Sequence, residues 1–126
     1  MKHYIMVGCD VHDETLVLKI ALDRLEPQTR TVENTPCGRA ALVRDLHEAS
    51  RRARGAKVVI AYEASSQGFG LCDEWVAAGF ECPVLAPTKI ARSSRDRRQK
   101  NDAHDALGLL EIVRGHVLGG NELPAV

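Results

Sequence analysis

"YIMVGCDVHDETLVLKIAL", residues 4 to 22, decides how the rest of the chain is read. Two apolar, β-rich runs, "YIMVGCDV" and "TLVLKIAL", flank the polar "HDE", which reads as two strands joined by a tight turn. Asp10 falls inside the first strand, where an aspartate disfavours β structure and burial without a partner is costly. Alternation places Ile5, Val7, Cys9 and Val11 on one face and Met6, Gly8 and Asp10 on the other.

Moving outward, "QTRTVEN" follows a turn marked by Pro27, and its mixture of Thr, Val and charge suits an edge strand, which completes a three-strand meander. From Pro36 the period becomes helical, with Ala40, Ala41, Val43, Leu46 and Ala49 as the apolar stripe and Gly55 as the stop after "RRARG". "KVVIAYE" is a short apolar run of the buried-strand kind, "QGFGLCDEWVAAGF" a second helix with Gly79 near its end, and "ECPVLAP" a further short strand. The last helix, "NDAHDALGLLEIVRGHVL", carries Ala103, Ala106, Leu107, Leu110 and Val113 at helical spacing behind Asn101, a natural N-cap.

The order β-β-β-α-β-α-β-α implies an α/β fold with a mixed five-stranded sheet and helices on both faces, because the later strands need crossover connections. Ribonuclease H-like domains share that order. A chain of 126 residues with 44% apolar content supports one core, expected over residues 1–116, with 117–126 as a linker or disordered tail. Lys+Arg and Asp+Glu both number 17, so no global field steers the chain toward nucleic acid or a membrane surface. No apolar run reaches a membrane span and the start lacks a secretory pattern, so a cytoplasmic location is expected. Cys9, Cys37, Cys72 and Cys82 show no zinc-type spacing and read as reduced structural residues.

Four acids carry the chemistry. Glu63 ends the fourth strand, where open α/β sheets commonly hold ligands, and meets Asp10 if the first and fourth strands are neighbours. Asp102 and Asp105, three apart, share a helix face that can point at the same edge. Converging carboxylates repel unless a hard cation lies between them, and oxygen-only ligation suits Mg²⁺ or Mn²⁺. Such a site serves two-metal phosphodiester chemistry. Between Ala86 and Lys100 stand Lys89, Arg92, Arg95, Arg97, Arg98 and Lys100 against a single acid, Asp96, a basic loop suited to phosphates.

Each acid also has a bland reading. Asp102 suits a helix N-terminus, Asp105 could pair with a cation one turn away, Asp10 could open the "DVHDE" turn, and Glu63 could cap the next helix. His12 and His104, each two residues from an acid, could shuttle protons or ligate metal, though exposure is the simpler expectation. Phe69 and Trp75 are assigned to packing rather than to base stacking.

"VGCDVH", "AYEASSQGFGLCDEWVAAGFECPVLAPTKI" and "DRRQKNDAHDALGLL" together resemble the N-terminal domain of the DEDD transposases, the insertion-sequence family that includes the Piv and MooV DNA invertases. The resemblance spans essentially the whole chain. Its most specific part is a Glu after a strand, an "AP" after the next strand, a basic loop and "KxDxxDA", with Lys100 at the usual lysine. It implies a RuvC-like fold, Asp10, Glu63, Asp102 and Asp105 as the catalytic, metal-holding acids, and Mg²⁺-dependent DNA strand cleavage and transfer. It further implies DNA and a structured guide RNA as partners, and a homo-oligomer. Family members are longer, with a C-terminal domain supplying a nucleophilic serine, and Ser65, Ser66, Ser93 and Ser94 match no nucleophile position. The expectation is an isolated N-terminal domain that cannot complete recombination alone. The rivals are a non-catalytic nucleic-acid-binding or dimerisation module, a stand-alone RuvC-like nuclease, and an actin-like phosphotransferase fragment. "GCDVHDET" lacks the glycine-rich turn that the last would need to cradle phosphate.

Overall fold

A computed structural model of the protein describes residues 2–64, 70–86 and 102–124, with the side chain of Asp102 outside that description. The meander is present. Strand β1 (Tyr4–Val11) runs antiparallel to β2 (Thr15–Leu22), in a register from Ile5↔Leu22 to Val11↔Leu16, and β3 (Gln28–Glu33) pairs antiparallel with β2. The polar "HDE" forms the first turn, closed by the His12 N–H donating to the Thr15 carbonyl at 2.9 Å. The second begins at Asp23, whose φ of 50° is a left-handed conformation that aspartate tolerates better than most residues.

Helix α1 (Pro36–Arg52) starts where the sequence signals it: Thr35 Oγ1 accepts from the Gly38 N–H at 3.0 Å, and Pro36 occupies the first turn, where a missing N–H costs nothing. The left-handed pair Arg54 and Gly55 ends it. Its buried residues are Leu42 and Leu46, while Ala40 of the expected stripe is exposed. The helix turns its larger apolar side chains inward, since leucine gains more from burial than alanine does.

Strand β4 (Lys57–Glu63) lies parallel to β1, helix α2 (Gly70–Ala77) follows, and β5 (Val84–Leu85) pairs parallel with β4. Only two residues of "ECPVLAP" enter the β5 ladder; Pro83 has no N–H to give it. Helix α3 (Asp102–Gly119) closes the described chain. It ends in a left-handed glycine cap: Gly120 has φ 74° and donates to His116, the αL bond, and Asn121 donates to Gly115, both at 3.0 Å. The helix thus runs through residues 117–119, and the carbonyl of Pro124 accepts from the Ala86 N–H at 2.6 Å, so the segment after it docks beside β5. Asn101, the expected cap, and Phe69 lie outside the described residues.

The five-stranded mixed sheet has the order β3-β2-β1-β4-β5, with β3 at an edge. On one face Val7, Leu16, Leu18, Ile60 and Tyr62 pack with Leu42 and Leu46 of α1 and with Trp75 of α2. On the other, Met6, Val59, Ala61 and Leu85 pack with Leu109, Leu110 and Val113 of α3. Helices cover both faces, as the order of elements requires, and Trp75 is fully buried, edge-on to Tyr62 with ring centroids 5.8 Å apart. Among the described residues no helix is long and apolar enough to cross a membrane.

Candidate functional site

The parallel register of β1 and β4 runs from Tyr4↔Lys57 to Cys9↔Tyr62. One further step along each strand brings Asp10 level with Glu63, at the C-terminal ends of adjacent central strands. Both residues are partly buried. They share the α3 side of the sheet, because Met6, Val59 and Ala61 on the same alternation pack against that helix.

Gly8 sets how closely the helix approaches. A Cβ at this position would lie 3.0 Å from Leu110 Cα, and closer still to the Ala106 carbonyl oxygen and the Leu110 nitrogen. Backbone therefore rests on backbone where α3 crosses β1. Gly8 is one alternation from Asp10, and Ala106 directly follows Asp105, so the first turns of the helix reach the end of the sheet that carries Asp10 and Glu63. Asp105 is partly buried, and its Oδ1 is fully buried with no hydrogen-bond partner among the described residues. A buried, unpartnered carboxylate oxygen is costly, and a cation is one group that would satisfy it.

Among the described residues no three His, Cys, Asp or Glu side chains form a ready cluster for a metal ion. Asp10, Glu63 and Asp105 nonetheless supply oxygen donors of the type a hard divalent cation takes, and the orphaned oxygen of Asp105 is consistent with one. Lys89, Arg92, Arg95, Arg97, Arg98 and Lys100 lie outside the described residues, as do Ser65, Ser66, Ser93 and Ser94.

The two histidines differ. His104 is exposed, as expected, whereas His12 is partly buried with its Nε2 2.8 Å from Asp10 Oδ2. The expectation of exposure is corrected for His12 by that contact. Sequence reasoning also missed Asn34, whose Nδ2 donates to the His12 carbonyl at 2.8 Å across a separation of 22 residues. Its signal was only a polar residue after an edge strand.

Beneath the acids the sheet is firmly packed. The Cys9 thiol is pushed well above its ordinary range by burial first and by Asp10 and Cys82 second, so it stays a protonated core group. Burial likewise raises the Tyr62 hydroxyl, although the Cys72 N–H donates to it at 3.2 Å. Cys82 is raised by burial and by Cys72, whose Sγ donates to the Cys82 carbonyl at 3.3 Å. All four cysteines are free thiols; Cys9 is buried in the core, Cys72 and Cys82 are partly buried, and Cys37 is exposed, so the structural role read for it is not met.

No protein-family model matches the chain. Its sequence is 26% identical over 121 residues, 94% of its own length, to the transposase for insertion sequence element IS1533 of Leptospira borgpetersenii, and it spans 33% of that protein's length. Among solved structures, Thermus thermophilus RuvC in complex with a Holliday junction substrate superposes with a TM-score of 0.55 at 14% identity, covering 95% of this chain and 99% of that one. A second structure of T. thermophilus RuvC gives 0.55 at 16% identity, covering 91% and 96%. The chain therefore has the RuvC-like form of the ribonuclease H-like fold, and over nearly all its length it is similar in sequence to an insertion-sequence transposase.

Proposed function

We propose that this chain is the metal-dependent catalytic domain of a DEDD-type transposase, related to the Piv and MooV invertases, acting in cleavage and transfer of DNA strands. The observation that supports it most is that one step beyond the parallel β1–β4 register levels Asp10 with Glu63, on the sheet face crossed by a helix seated on Gly8 that carries Asp105 with a buried oxygen unpartnered among the described residues. Asp10, Glu63, Asp102 and Asp105 would hold Mg²⁺ or Mn²⁺. When bound, such ions supply Lewis-acid stabilisation and a more acidic attacking hydroxyl or water. Lys89, Arg92, Arg95, Arg97, Arg98 and Lys100 would neutralise the phosphates of the incoming strand.

Residues 1–116 form the catalytic unit in this reading, working in the cytoplasm as a homo-oligomer on branched DNA with a structured guide RNA. The transposase and RuvC likenesses support the DNA substrate, and the guide RNA and homo-oligomer rest on the resemblance to the DEDD transposases alone. Strand transfer would draw its nucleophile from outside this domain. A non-catalytic nucleic-acid-binding module is the second reading, and the melting experiment below separates the two.

Thermal melting with and without Mg²⁺ or Mn²⁺ tests the proposal. Wild type is expected to gain stability with metal, and Asp10→Ala, Glu63→Ala and Asp105→Ala each to lose that gain. Equal destabilisation of all three with and without metal would make the acids structural and hand the lead to the binding module.

A further inference from the structure

We infer that His12 is a positioning residue for Asp10, held in place by a relay of side chains that reaches from the β1–β2 turn to α2. The inference rests on the reading of Asp10 as a cation ligand. His12 Nε2 lies 2.8 Å from Asp10 Oδ2, and both side chains are largely shielded, at 26% and 20% exposure. The neutral tautomer with its proton on Nε2 suffices for this bond, so no change of charge is needed.

The backbone of His12 is fixed from both sides. Its N–H donates to the Thr15 carbonyl at 2.9 Å, and its own carbonyl accepts from Asn34 Nδ2 at 2.8 Å. Asn34 is fixed in turn: its N–H donates to the Glu14 carbonyl at 2.9 Å, and its Oδ1 accepts from Arg39 Nη1 at 2.8 Å. Arg39, only 18% exposed, gives its Nε to Glu74 Oε2 on α2 at 2.8 Å. Glu74, Arg39, Asn34, His12 and Asp10 thus form one continuous polar chain.

Its effect is on Asp10. A carboxylate near a strand end has several rotamers open to it, and a cation must pay for selecting one of them. A donor on one oxygen makes that selection in advance, as partners behind metal ligands commonly do, and their loss typically weakens metal binding by about 10- to 100-fold. The side chain of glutamine can place an N–H where Nε2 of histidine sits, whereas phenylalanine fills the space with no donor.

Mn²⁺ titration of the 126-residue chain, read by electron paramagnetic resonance, tests the assignment, with Asp10→Ala as the control for the site. His12→Phe is expected to weaken Mn²⁺ binding by about tenfold or more, and His12→Gln to stay within about threefold of wild type. Bound Mn²⁺ should show no spin-echo coupling to a directly ligated imidazole nitrogen. Should His12→Phe fail to fold, Arg39→Leu, which leaves Asp10 and His12 in place, is expected to weaken binding by a smaller factor of about two to five. Unchanged affinity in His12→Phe or in Arg39→Leu, equal loss in the Phe and Gln variants, or a ligated nitrogen overturns the inference while the cation reading stands. Absence of saturable Mn²⁺ binding by wild type overturns both.

Discussion

Replacing Gly8 by alanine probes the geometry on which the candidate site depends. The added Cβ would meet Leu110 Cα at 3.0 Å and would fall well inside that distance from the Ala106 oxygen and Leu110 nitrogen. Ordinary contacts need about 3.5 Å or more, so α3 must lift from β1 by more than half an ångström, and by on the order of 1 Å to clear the polar atoms. Nothing else can yield, because backbone stands on both sides. Lifting the helix loosens Leu109, Leu110 and Val113 from Met6, Val59 and Ala61, and overpacking of this kind costs about 3 kcal/mol. For a domain of this size that lowers the Tm by on the order of 10 °C. The same shift carries Asp105 away from Asp10 and Glu63, and sites of this kind tolerate only about 0.5 Å of error, so Mn²⁺ affinity should fall by about tenfold or more. Calorimetric melting and Mn²⁺ titration read the two effects. Gly119→Ala, in the same helix with nothing within 4 Å of its Cβ, is the control and should be neutral or stabilising by up to about 1 kcal/mol. A Gly8→Ala variant melting within about 2 °C of wild type would refute the reasoning, since no packing cost on this scale could then exist.

Two further outcomes are expected. In chelator, Asp105→Ala should raise the Tm by a few degrees, because it removes a buried carboxylate oxygen whose want of a partner costs about 1 kcal/mol or more; a lower Tm in chelator would show that Asp105 is satisfied in the free protein. At the far end of the sheet, burial pushes the Asp23 carboxyl up, but hydrogen bonds from His3 and the Tyr4 N–H, with the His3 charge, outweigh it and hold the group below its ordinary 3.8. A depressed folded pKa stabilises the protein above the unfolded value, and the gain is lost as pH falls below about 4. For this partly exposed pair the gain is at most about 1 kcal/mol. Melting curves of wild type and Asp23→Asn should therefore converge between pH 6 and pH 2.5, and a constant gap would remove the charge from the explanation.

How far the sequence alone reaches is clearest at three residues. The placement of Asp10 was readable: the alternation of β1 assigns it to the face of Met6 and Gly8, and, once β1 and β4 are neighbours, their parallel pairing brings it level with Glu63, although its contact with His12 was not foreseen. Gly8 was readable only as a break in an apolar run. Its meaning lies in the crossing of a helix that begins some 90 residues later, and no local pattern encodes that contact. Asn34 was not readable, because its bond to His12 depends on the stagger of two hairpins, which places the end of β3 beside the β1–β2 turn. In α1 the stripe holds at Val43, Leu46 and Ala49, which are in or packed against the core, but it passed over the fully buried Leu42 and took in Ala40, which is exposed.

The candidate acids are held by two unlike means. Asp10 and Glu63 ride on strands joined by a ladder of backbone hydrogen bonds, so their separation is as stiff as the centre of the sheet. Asp105 rides on a helix that no ladder joins to the sheet, and its place is set by packing at Gly8 and by the apolar layer of Leu109, Leu110 and Val113. Two ligands would then be fixed in advance, while the others move with the seat of α3. A cation binding between them would gain most of its ordering cost back from the sheet half and spend the rest on the helix half. Variation in metal affinity among variants should accordingly follow changes at the β1–α3 contact more closely than changes in overall stability.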